Sequence, residues 1–120
     1  MTLDEFRERC VSAAEEHFAR ADLRIRTRRG TVFEARVQID EETFVAVYFN
    51  ALTGKTSYTL ISGGQGVMGY NNYRFWHHHP LGCPQEHVPC EEPAIEDLFA
   101  EMREAISATG TENTSQFGRS

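Results

Sequence analysis

Between Leu23 and Ser62 the apolar residues fall on every second position, and short polar turns interrupt them at regular intervals. A period of two puts alternate side chains on opposite faces of an extended chain, so these segments read as strands with one buried face. In "DLRIRTRRG", Leu23, Ile25 and Thr27 alternate with Arg24, Arg26 and Arg28. In "TVFEARVQI", Phe33, Ala35, Val37 and Ile39 alternate with Glu34, Arg36 and Gln38. "FVAVYFN" and "SYTLIS" are rich in β-branched and aromatic residues, and "GVMGYNNY" and "RFWHH" supply further strand candidates. The turns "RRGT", "DEET", "LTGK" and "GGQG" are too short for parallel crossovers. An antiparallel meander of five to six strands follows, with Phe33–Ile39 and Val45–Phe49 expected at its centre.

A helical period brackets the strands. Residues 2–20 read as a helix opened by a capping box, Thr2 with Glu5 three residues on. Its inward face is Leu3, Phe6, Cys10, Ala13, Ala14, His17 and Ala21. Cys10 and His17 are read as packing residues, because a lone histidine on such a face is more often packed than a ligand. A second helix is expected from "EEPAIEDLF", with Pro93 at the first helical position, Glu91 and Glu92 at the positive end of the dipole, and an inward stripe Ile95, Leu98, Phe99, Met102 and Ile106. The fold class is therefore α+β: helix, antiparallel sheet, helix. Residues 1–108 form a single domain, and 109–120, lacking periodicity, read as a disordered tail.

Bulk properties narrow the function. No apolar run approaches the roughly 20 residues of a membrane helix. Three cysteines, an odd number, argue against a disulfide framework and for a reducing cytoplasm. The net charge of −6 opposes general nucleic-acid affinity, yet Arg20, Arg24, Arg26, Arg28, Arg29 and Arg36 crowd one segment. A row formed by Arg24, Arg26, Arg28 and Arg36 would attract phosphates; it would also block edge-to-edge pairing of an outer strand. The chain has no G-x-S-x-G, phosphate-binding loop or dinucleotide fingerprint.

The chemistry concentrates in "WHHHPLGCPQEHVPC", residues 76–90. On a strand, His77 and His79 face one way while Trp76 and His78 face the other. One reading is a zinc site built from Cys83, His87 and Cys90 with His79 or His77. Another is acid–base catalysis by histidines free of metal, since imidazole titrates near neutrality. A third is a stiff polar loop whose histidines bond to backbone. Only Glu86 offers a carboxylate nearby, which disfavours a two-metal nuclease.

The run "VYFNALTGKTSYTLISGGQGVMGYNNYRFWHHHP", with His87 seven residues after Pro80, resembles the TumE family, the toxin partners of small prokaryotic toxin–antitoxin pairs. The family carries an aspartate–asparagine step before closely spaced histidines and a later histidine near a proline. This chain has Asn71-Asn72 there, so no acidic role carries over to that step. The resemblance spans about the middle half of the chain. It implies a cytoplasmic toxin acting on RNA and held by a cognate antitoxin protein. For a metal-independent ribonuclease without cofactor, His79 and His87 would be the acid–base pair, His77 a positioning residue and Arg74 the phosphate clamp. Arg24, Arg26, Arg28 and Arg36 would then bind RNA. The alternative is a non-enzymatic binding module whose loop zinc holds through Cys83, His87, Cys90 and His79. Neither reading decides the oligomeric state.

Overall fold

The computed structural model describes residues 1–119, with side chains described through residue 108. Helix α1 (Leu3–His17) leads into strands β1 (Asp22–Arg28), β2 (Val32–Gln38), β3 (Thr43–Asn50), β4 (Thr56–Ser62), β5 (Gln65–Asn71), β6 (His77–His79) and β7 (Val88–Pro89), and α2 (Ile95–Arg119) closes the chain. The seven strands form one sheet in sequence order, every neighbour antiparallel. The α+β meander is thus as expected, with seven strands where five to six were counted. The additional pairing is β7, two residues inside what reads as loop. The expected tail at 109–120 lies outside the residues whose side chains are described.

Turn chemistry sets the registers. Gly63 and Gly64 both have positive φ and alone join Ser62 to Gln65, the left-handed pair that matches strand twist in two-residue hairpins; Arg29 and Gly30 have positive φ as well, in the three-residue connection Arg29–Thr31 between β1 and β2. The Asp40 carboxylate accepts the amides of Glu42 and Thr43, and Asn50 accepts those of Leu52 and Thr53, so each side chain substitutes for a turn of backbone.

One sheet face carries both helices. Phe33, Val37, Val45, Val47, Tyr58, Leu60 and Met68 point there with Phe6, Cys10 and Ala13 of α1 and Leu98, Phe99 and Met102 of α2, all buried. Cys10 has its thiol pushed up to about 12 by burial, the behaviour of an inert packing residue. His17 differs from its expectation in one atom: its Nδ1 is buried with no hydrogen-bond partner among the described residues. The Thr2–Glu5 capping box forms in both directions, at 3.2 and 3.1 Å.

Both helix limits shift from their expected places. α1 stops at His17, where Phe18 leaves the helix and sets its ring edge against Phe99, 5.6 Å between centroids. α2 starts at Ile95, after Pro93, because the Cys90 amide still bonds to the Trp76 carbonyl and holds the chain to the sheet. Glu96 and Asp97, not Glu91 and Glu92, occupy its first turn.

Candidate metal centre

The opposite face of the sheet has no helix on it. Cross-strand partners share a face, so the pairings Gly69–His79 and Asn71–His77 place both histidines on this open side, while His78, opposite Tyr70, faces the helices. There the His78 ring stacks on Tyr70 at 5.4 Å, and the Tyr70 hydroxyl donates to Glu101 of α2 at 2.8 Å. Burial and that carboxylate push the Tyr70 phenol above its usual range. His78 is therefore a packing residue that links β6 to the helix layer.

The segment between β6 and β7 folds back onto the open side. Cys83 bonds to the Pro80 carbonyl and Glu86 to that of Cys83, with Gly82 supplying a positive φ between them. This coil delivers His87 beside the other two. One ring nitrogen from each of His77, His79 and His87 lies within 4.8 Å of the others. Ring centroids are 5.1 Å apart for His77–His79, 5.0 Å for His77–His87 and 4.6 Å for His79–His87. Burial is graded: His77 is 4 % exposed, His79 is half-buried and His87 is exposed.

Backbone carbonyls select the protonated nitrogen. His77 Nδ1 sits 3.0 Å from the Phe75 carbonyl and His79 Nδ1 sits 2.8 Å from that of Pro84. A carbonyl oxygen only accepts, so both Nδ1 atoms carry hydrogen and each Nε2 keeps its lone pair. Asn71 supports this assignment independently. Its Oδ1 accepts the Tyr73 amide at 3.0 Å, which turns its NH2 toward His79 Nε2 at 3.3 Å. Orientation of the imidazole by its second nitrogen is the usual support for a metal-bound histidine. In a tetrahedral zinc site, Zn–N bonds of about 2.0–2.1 Å put ligand nitrogens about 3.4 Å apart. Small ring movements close the observed spacing to that value.

The other expected site residues lie elsewhere. Cys83 and Cys90 are both free thiols, and neither belongs to the three-histidine group. Burial raises the Cys90 thiol, the direction that disfavours the thiolate a metal requires. Arg74 has a positive φ, and its guanidinium rests 5.6 Å from the Tyr73 ring centre. Arg24, Arg26, Arg28 and Arg36 do share the open face with His77 and His79, but from the far side of the sheet. Five strand spacings separate β1, with the first three, from β6, and four separate β2, with Arg36, about 24 and 19 Å. Their charges are also engaged: Arg24 pairs with Asp22, Arg26 and Arg28 with Glu34, and Arg36 stacks over Phe44 at 3.9 Å.

Sequence reasoning assigned no role to Asn71 or to the carbonyls of Phe75 and Pro84. Asn71 stands two strand positions from Gly69, the partner of His79, so correct pairing of β5 with β6 would have exposed it. The carbonyls carry no side-chain signal at all. No family model, no curated protein and no solved structure matches the chain. Among the described residues, no helix is long and apolar enough to cross a membrane.

Proposed function

We propose that this chain binds a divalent transition-metal ion, zinc being the best match, through His77, His79 and His87. The observation that carries this reading is the convergence of three ring nitrogens within 4.8 Å, on rings of which two, His77 and His79, are held by backbone carbonyls at Nδ1. Borderline ions such as zinc suit imidazole, and three protein ligands leave a fourth position for water or substrate, as in zinc sites that activate water. His87 is exposed, which puts that position on the solvent side. A hollow of about 220 Å³ adjoins it, bounded by Thr59, Gly69, Asn71, His79 and Pro84. Gly69 keeps its floor low; a Cβ there would meet the Tyr58 carbonyl at 2.7 Å.

The RNA-cleaving toxin is the second reading. What supports it is His79 and His87 lying side by side, 4.6 Å between ring centres. It receives less support than metal binding. A general acid and base must flank a phosphate, whereas these rings already touch, and the arginines stand across the sheet.

The test is titration of metal-free protein with cobalt(II) and zinc, followed by incubation with total RNA in chelator. One equivalent of cobalt with tetrahedral-intensity visible bands, displaced by zinc, is the expected result. RNA cleavage undiminished in chelator, with no metal uptake, would reverse the order of the two readings. The double change Cys83→Ser, Cys90→Ser should leave the stoichiometry at one and the cobalt bands unmoved. A charge-transfer band lost on that change would instead place sulfur in the coordination shell.

A further inference from the structure

On the open face, two rows of cross-strand partners run from β4 through β5 to β6. One row is Ser57, Asn71 and His77; the other is Thr59, Gly69 and His79. Partners across a ladder share a face. The glycine at the centre of the second row leaves a gap between Thr59 and His79, and this gap lies in the hollow of about 220 Å³ beside the histidines. The Thr59 hydroxyl oxygen stands 3.5 Å from where a Gly69 Cβ would lie, so it borders that gap. Asn71 is at the wall of the same hollow.

Asn71 and a metal ion need the same lone pair. The Pro84 carbonyl fixes hydrogen on His79 Nδ1, so His79 Nε2 is the nitrogen a metal would take, and the Asn71 NH2 already donates to it at 3.3 Å. Asn71 is not free to turn its oxygen there instead, because Oδ1 accepts the Tyr73 amide. A metal on Nε2 therefore leaves the Asn71 N–H groups without their acceptor, and leaves them pointing toward a cation. That arrangement is unfavourable unless an anion with two acceptor oxygens lies between them. A carboxylate has that shape, and bonds from N–H to an ionised oxygen are the strong kind. Size narrows the class further, since the hollow is smaller than the roughly 300–1,000 Å³ of pockets for larger ligands. Resting on the metal-binding reading above, we infer that the loaded site takes a small carboxylate as its fourth ligand, one oxygen on the metal and the other on the Asn71 amide. Asn71 then acts as a specificity residue, holding His79 Nε2 when metal is absent and the carboxylate when it is present.

The probe is acetate, titrated into the cobalt-loaded full chain at constant ionic strength while the visible bands are followed. Imidazole is the comparison ligand: it can fill the fourth position, but its second nitrogen carries hydrogen and gives Asn71 nothing to donate to. Acetate should shift the bands saturably. Asn71→Ala should weaken acetate about tenfold, the loss of one bond to a charged group, and change imidazole by less than about twofold. The same variant should take cobalt more tightly than wild type when no anion is present, because the competing donor is gone. Should Asn71→Ala fail to fold, Asn71→Asp decides the matter: it keeps an oxygen for the Tyr73 amide, sets a second oxygen where the NH2 stood, and should abolish the acetate response. Cobalt uptake without any acetate response overturns this inference and leaves the metal reading standing. Acetate affinity indifferent to the folded variants, or acetate and imidazole weakened alike, overturns it too. Failure to take up cobalt at all removes both.

Discussion

Replacing His87 with alanine should cut zinc affinity by about two orders of magnitude and leave the metal-free protein as stable as before. The magnitude follows from tetrahedral structural sites, where apparent binding free energies of about 10–16 kcal/mol are shared by four ligands. Roughly 3 kcal/mol per ligand corresponds to about a hundredfold in affinity. Unchanged stability is expected because His87 is exposed and its contacts are with other histidine rings. His77→Ala should lose at least as much affinity but also destabilise the metal-free fold. Its ring is 4 % exposed and packs on Phe75 at 5.4 Å. His79→Ala falls between, since it releases the loop by losing the Pro84 carbonyl bond. Thermal melts with and without zinc separate these effects. Zinc at a hundred times its Kd should stabilise wild type by about 2.7 kcal/mol, and His87→Ala at the same concentration should show almost none of that increment. An equal zinc-induced rise in Tm for both proteins would remove His87 from the coordination shell.

The meander was legible because its strands bury one face only. Val45, Val47 and Phe49 sit 0, 3 and 6 % exposed, and partial burial of the residues between them is what a period of two records. β7 was not legible, because two residues, one of them proline, carry no periodicity. The start of α2 was misplaced for a related reason. Pro93 and two glutamates make a good helix opening, but the backbone bond from Cys90 to Trp76 keeps the chain on the sheet. At the site, the pairing of His77 with His79 could be read from their i, i+2 spacing. The arrival of His87 depends on how seven loop residues coil, which local pattern does not encode. The arginine row was correctly placed on one strand face, and the pairing of Arg26 and Arg28 with Glu34 was hidden until β1 paired with β2.

Changing Val47 to aspartate should unfold the protein or lower its Tm by about 15 °C or more, whereas Ala46→Asp should change it by only a few degrees. The two residues are neighbours on β3 and occupy opposite faces of the sheet. Val47 is 3 % exposed, pairs with Ala35 and Tyr58, and lies in the core with both helices over it. A carboxylate there would have neither water nor a cationic partner. Cost for such a group is several kcal/mol, on the order of 4, against a total domain stability of about 5–15. At roughly 4 °C per kcal/mol for a chain of this size, the Tm shift follows. Ala46 is on the open face, half-buried, with Arg36 as its cross-strand partner. A carboxylate at that position keeps its hydration and gains a guanidinium opposite, so propensity loss is its main penalty. The pair therefore tests which face the helices cover, and with it the side on which the histidines stand. A strand slipped by one residue would exchange the two results, since every side chain would change face. Equal, small shifts for both variants would mean that neither face of β3 is packed, and the two-layer architecture would have to be abandoned.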